Sequence, residues 1–211
     1  MADLAALKLE IATELAKDNL ESGGDLEATL LKHIQDACEY FSDTKFWFNS
    51  IITTATTTAG VAVVTIPSTV RVVERLTIPT YDTELRETVL SRIDYGTEQG
   101  LPCSYAYYND TLKLSPIPDA TYTLNIYGIA AVAAPTTGTD SSIWTNQASR
   151  LIRARSKQTL ARGVFRDPEG ATLFAAEVGE ELTRLKRETA RRLVTPLRPA
   201  RGGRYSITAD R

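Results

Sequence analysis

Leu4, Leu7, Ile11 and Leu15 stand three and four residues apart between polar neighbours, the spacing of one helix face. Ser22-Gly23-Gly24 follows, with glycines free to take the left-handed backbone of a helix C-cap. A first helix is predicted over residues 3–20. Asp25 occupies an N-cap position, and Leu26, Leu30, Ile34, Ala37 and Phe41 form a second stripe, so the pair reads as a helical hairpin.

From Phe46 the period shortens. Phe46-Trp47-Phe48, the run 51–58 and the run 61–66 ending at Pro67 are rich in β-branched and aromatic residues, with Ala59-Gly60 as a tight turn between the runs. Further strands are predicted over 71–78, 104–108, 111–114 and 122–129, with Asn109-Asp110 as a hairpin turn and residues 115–119 as a loop. Residues 80–100 fit either a short helix or a long excursion.

After a loop over 135–142, residues 143–164 read as helical. Asp167-Pro168 opens another helix, Asp as cap and Pro in the first turn. Ala171, Phe174, Val178, Leu182 and Leu185 make its apolar stripe, and Glu180, Arg184 and Glu188 follow one another on the polar side. It is expected to end near Leu193. Residues 195–211 hold two prolines, two glycines and too few apolar side chains for a core, which predicts a flexible arm.

Helices, then strands, then helices imply an α+β fold in which N- and C-terminal helices form a bundle beside an antiparallel β domain. The expected parts are a helical hairpin over 1–45, the β domain over 46–135, helices completing the bundle over 143–193 and the arm over 194–211. With 211 residues, 43% hydrophobic and 24% charged, the chain has the make-up of a folded protein with one or two cores. No window approaches the roughly 20 apolar residues of a membrane helix, and the N-terminus lacks the basic start and apolar centre of a signal peptide. No membrane partner is therefore expected, and the site of action is the cytosol or a particle built there.

The formal charge of −2 hides a gradient. Residues 1–50 sum to −6, residues 51–149 to −4 and residues 150–211 to +8. Such polarity suits head-to-tail contact between copies, an acidic protein partner, or nucleic acid near the C-terminal end.

Catalytic patterns are missing. The single histidine, His33, has no second histidine or Glu-x-x-His partner, any Ser-His-Asp or Cys-His machinery would have to recruit it, and no phosphate-cradling glycine loop is present. Cys38 and Cys103 lie far apart without metal-ligand spacing and read as buried free thiols. The aromatic clusters 46–48 and 105–108 have few basic neighbours, so packing explains them better than base stacking. No enzyme and no cofactor are expected.

Two basic features carry the functional reading. Arg150, Arg153 and Lys157 lie on one flank of the helix from Ile143, with Arg155, Arg162 and Arg166 on the other, leaving a narrow strip of Ala148, Ile152 and Leu160. Such a helix is either solvated, or sets one flank against an acidic neighbouring copy or DNA. In the arm, Arg198, Arg201, Arg204, Tyr205 and Ile207 suit ordering on a partner, arginine forks meeting carboxylates and the two apolar residues acting as anchors.

The order of motifs resembles a known family. Phe41 followed by Lys45-Phe46-Trp47-Phe48-Asn49, a Thr-rich strand, a Val/Ile strand ending in Pro67, then Gly100-Leu101-Pro102, Tyr105-Ala106-Tyr107, Leu112-Lys113-Leu114, Pro116-Ile117-Pro118-Asp119 and Tyr122-Thr123-Leu124 are similar to phage head-to-tail connector adaptors, including the tail tubular protein A-like group. The similarity runs from about residue 4 to 193. It implies a ring, usually of twelve copies, in the virion neck between the portal protein and a tail or nozzle protein. Genomic DNA would pass through its channel without sequence-specific binding. It also implies a C-terminal extension reaching the portal, in the place residues 195–211 occupy. A nucleic-acid-binding module using the Arg-rich C-terminal region is the competing expectation.

Overall fold

A computed structural model of the chain describes residues 3–15, 25–93, 97–138 and 140–193. Six helices and nine strands follow the predicted order: α1 (Leu4–Glu14), α2 (Asp25–Phe41), β1 (Ser50–Thr56), β2 (Val63–Thr65), β3 (Val70–Ile78), β4 (Thr83–Glu87), α3 (Leu90–Ile93), β5 (Gln99–Gly100), β6 (Ser104–Tyr108), β7 (Thr111–Ser115), β8 (Ile117–Pro118), β9 (Thr123–Ala130), α4 (Ile143–Gln147), α5 (Ser149–Gly163) and α6 (Pro168–Leu193). The fold is α+β, with one apolar core among the helices and a second inside the sheet. The predicted extension of the first helix past residue 15 and the arm over 194–211 lie outside the described residues.

In the helical core, Leu4, Leu7 and Ile11 of α1 and Leu30, Ile34 and Phe41 of α2 close on Leu151, Ile152 and Leu160 of α5. The Asp3 carboxylate accepts from the Ala6 amide at 2.8 Å and caps α1. The loop before α4 holds the same end: Leu4 and Ala5 amides donate to the carbonyls of Asp140 and Gly138 at 3.2 and 3.0 Å. Asp140 is itself locked by Thr136 and Thr137, whose backbone N–H and hydroxyl groups donate to its carboxylate. Those four bonds hold its pKa far below the usual carboxylate range.

Phe46-Trp47-Phe48 is a turn, where the sequence suggested a strand. Asn49 forces it: its side chain accepts from the Phe46 amide at 2.7 Å and donates to the Thr44 carbonyl at 2.9 Å, closing the chain before β1 begins. The rings turn into the helical core, Phe46 stacking on Phe48 at 5.1 Å while both meet Trp144 edge to face. The Trp47 amide donates to Thr189 Oγ1 at 3.2 Å and Arg192 lies over the indole, so the end of α6 rests on this turn.

Seven strands form a curled sheet in the order β1-β9-β3-β4-β6-β7-β2. It is antiparallel except where β4 runs parallel to β6, and a small separate pair, β5 with β8, is also parallel. In the ambiguous stretch 80–100 the described residues form β4, the short α3 and β5. Asn109 and Asp110 both take positive φ in the predicted hairpin turn between β6 and β7. Tyr107 reaches across the curl from β6 and donates its hydroxyl to the Val73 carbonyl on β3 at 2.6 Å. Gly128 of β9 sits so close to β3 that a Cβ there would stand 2.0 Å from the Val72 carbonyl oxygen.

Two bulges in β3 tie sheet to bundle. The register with β9 skips Arg71 and again Glu74. Those two residues turn to the end of α2: Arg71 pairs with Glu39 at 2.6 Å and with Asp43, and Glu74 pairs with Lys45.

Candidate functional site

The basic helix predicted from Ile143 is α4 and α5, broken at Ala148, and α5 is far more buried than its narrow apolar strip suggested. Leu151, Ala154, Ser156, Lys157 and Ala161 are buried along with Ile152 and Leu160, because α1, α2 and α6 all pack on it. The sequence pattern marked too few of these positions, since two of the cations beside the strip are neutralised by carboxylates from distant helices.

Lys157, its side chain 5% exposed, shows how. Its ammonium meets Glu14 of α1 at 2.6 Å and Glu177 of α6 at 2.7 Å, and lies 4.5 Å from the centre of the Phe174 ring. One turn earlier, Arg153 bonds Glu10 at 2.6 Å and Glu14 at 3.2 Å. Arg155 stacks on Tyr40 of α2 at 4.0 Å and donates to Gln158 at 2.7 Å. Arg150 and Arg162 differ: both are exposed, and neither has an ion-pair partner among the described residues.

This sorts the charge gradient. Many acids of the N-terminal part are consumed within the chain, Glu10 and Glu14 on α5, Glu27 on Lys8, Glu39 and Asp43 on Arg71. On α6, Arg184 pairs with Glu181 at 2.7 Å and Arg192 with Glu188, within the helix. Lys186, Arg187 and Arg191 remain exposed and without ion pairs among the described residues. Arg187 and Arg191 lie on the outer face of α6 together with Ala176, Gly179 and Thr183.

Among the described residues α6 packs on one side only. Its expected stripe is in place, yet only Leu185 and Thr189 are fully buried, while Ala171, Phe174, Val178 and Leu182 are half-buried. The predicted arm residues Arg198, Arg201, Arg204, Tyr205 and Ile207 lie outside the described residues. The signal missed in sequence is the set of acceptors Glu10, Glu14 and Glu177, which no local spacing links to Arg153 and Lys157.

Other candidate chemistry disperses. His33 is half-buried on α2, and burial lowers its pKa. Cys38 is buried, its thiol pushed up to about 12 by desolvation. Cys103 is exposed, against the expectation of two buried thiols, because β6 begins only at the next residue. No group of three or more metal-ligating side chains occurs among the described residues, and no described helix is long and apolar enough to cross a membrane.

No curated protein matches the chain. The family model of the SU10 adaptor protein matches residues 2–200, nearly the whole length. With an α+β fold and a family match over nearly its whole length, the chain belongs to the SU10 adaptor protein family, a family of phage head-to-tail adaptors.

Proposed function

We propose that the protein is a structural, non-enzymatic adaptor that forms a ring, of twelve copies, between portal and tail in the virion neck, built in the host cytoplasm and lining part of the DNA channel. The family match over residues 2–200 carries this reading. Support also comes from the cations that have no ion-pair partner among the described residues: Arg150 and Arg162 on α5, and Lys186, Arg187 and Arg191 on α6. Exposed, unpaired cations on rigid helices suit acidic surfaces of neighbouring subunits, and contacts of that head-to-tail kind close into rings when the rotation permits.

In this reading Arg198, Arg201, Arg204, Tyr205 and Ile207 grip the portal. Arg150 and Arg162 form the subunit interface, with Arg153, Arg155 and Lys157 holding the helices that shape it. Many weak arms acting together supply the attachment. DNA passes without base-specific contact.

The competing reading takes the same α6 cations and the arm as a nucleic-acid surface. The test is to mix the full chain, and a chain lacking residues 195–211, with the portal and with duplex DNA. Portal rings decorated only by the full chain, seen by electron microscopy, support the adaptor. Steeply salt-dependent DNA binding without portal binding supports the alternative.

A further inference from the structure

The helical core and the sheet core share no residue, and among the described residues none of α1, α2, α4, α5 and α6 packs along a strand of the seven-stranded sheet. The main chain passes between the two parts twice. Phe48 and Val132 pack in the helical core, whereas β1 begins at Ser50 and β9 ends at Ala130. The crossings run side by side: Ser50 lies opposite Ile129, and the Ala130 amide donates to the Asn49 carbonyl at 2.7 Å. Two adjacent antiparallel segments make a ribbon about which one part can turn on the other.

Charge opposes that turning. β3 lies next to β9 in the sheet, so Arg71 and Glu74, set out of register by the two bulges, sit to one side of the ribbon. There Arg71 meets Glu39 at 2.6 Å and Asp43 at 2.5 Å, and Glu74 meets Lys45, all three partners lying in the last turn of α2 or just beyond it. Glu39 and Asp43 are 66% and 69% exposed, so water and salt reach the cluster. A large apolar contact would fix the angle between two parts of a chain, whereas a small polar one leaves relative motion as the expectation.

We propose that the sheet rocks on the bundle about the paired crossings at residues 49–50 and 130–131, and that Glu39, Asp43, Lys45, Arg71 and Glu74 form an ionic latch that holds the angle seen here. Exposed ion pairs are individually weak and screened by salt, which makes such a latch easy to release. Release leaves both cores intact and lets one chain present its helices and its sheet at more than one angle. The inference concerns a single copy in solution and stands whether or not copies close into a ring.

Distances between spin labels test it. Cys103 on the sheet side is exposed and Cys38 is buried, so a thiol-directed nitroxide takes the sheet at one position. Leu173→Cys on the exposed face of α6 supplies the second label. Electron–electron double resonance then reads the separation of bundle and sheet, which should be narrowly distributed in dilute salt. The distribution should roughly double in width at about 1 M salt, where the screening length is about 3 Å. Arg71→Gln combined with Lys45→Gln should broaden it as much without added salt. Lys45→Glu alone should also broaden it, and adding Glu74→Lys should restore the narrow form. A pair within the bundle, Leu9→Cys with Leu173→Cys in a Cys103→Ser chain, should stay narrow throughout. A bundle-to-sheet distribution that keeps its width in the latch variants would overturn the proposal, as would broadening that appears equally in the pair within the bundle.

Discussion

Lys157 of α5 and Glu14 of α1 meet at 2.6 Å, and the same ammonium holds Glu177 of α6, so one buried cation joins three helices that are distant in sequence. Removing a buried cation strands both carboxylates, although each keeps partial access to water. Lys157→Ala should cost about 2–3 kcal/mol, and Lys157→Met, which restores the apolar contact with Phe174, about half as much. Urea midpoints at neutral pH check both values, and equal losses for the two variants would show that the charge alone matters and the apolar contact does not.

Gly128 permits the close approach of β9 to β3. A methyl group 2.0 Å from the Val72 carbonyl oxygen cannot be accommodated without backbone movement. Gly128→Ala should destabilise the fold by about 3 kcal/mol. The expected fall in Tm is roughly 6–12 °C, measurable by calorimetry.

Much of this architecture was legible before any coordinates. Helix and strand order follow from periods of 3.6 and 2, and Asp167-Pro168 and Asn109-Asp110 mark a helix start and a hairpin turn. What local pattern cannot carry is pairing at a distance. The parallel contact of β4 with β6 joins residues that no spacing rule links, and the strands β5 and β8 are two residues long. Phe46-Trp47-Phe48 has high strand propensity, but the Asn49 side chain bends the backbone and the rings serve the helical core. The same limit applies to the basic helix: Arg153 and Lys157 look like Arg150 and Arg162 in sequence, and only the carboxylates of α1 and α6 separate them.

Asp140 makes the start of α1 sensitive to acid. Its folded pKa is depressed by four hydrogen bonds from Thr136 and Thr137, relative to an ordinary value of 3.8. A depressed carboxylate contributes stability above its ordinary pKa and loses it as pH falls through that value toward the folded one. The stability difference between wild type and Asp140→Asn should therefore be full at pH 6 and shrink as the pH drops below 3.8. Urea titrations over that range, with exchange of the Leu4 and Ala5 amides as a local reporter, test it.

Tyr107 gives the opposite sign at the alkaline end. Burial is the main cause that raises its pKa above the ordinary 10.0, with nearby Tyr105 and Glu87 adding to it. The folded state then holds the phenol proton more tightly, so its stabilisation is complete below pH 10.0 and declines above it. Tyr107→Phe should cost about 1 kcal/mol at neutral pH through the lost bond to Val73. It should also flatten the decline above pH 10, as followed by circular dichroism.

Arg150 and Lys157 sit on the same helix seven residues apart, yet charge reversal should act on them differently. Arg150 is exposed and has no ion-pair partner among the described residues, so Arg150→Glu should change folding stability by no more than about 0.5 kcal/mol. The same holds for Arg187→Glu and Arg191→Glu on the outer face of α6. If these cations meet acidic surfaces in the assembled neck, each reversal should instead weaken association with other copies or with the portal, by about tenfold or more. Sedimentation of the mixed components reads that loss, and raising the salt should narrow the gap between wild type and variant because exposed pairs are screened. Variants that fold and assemble like the wild type would move the docking surface away from α5 and α6.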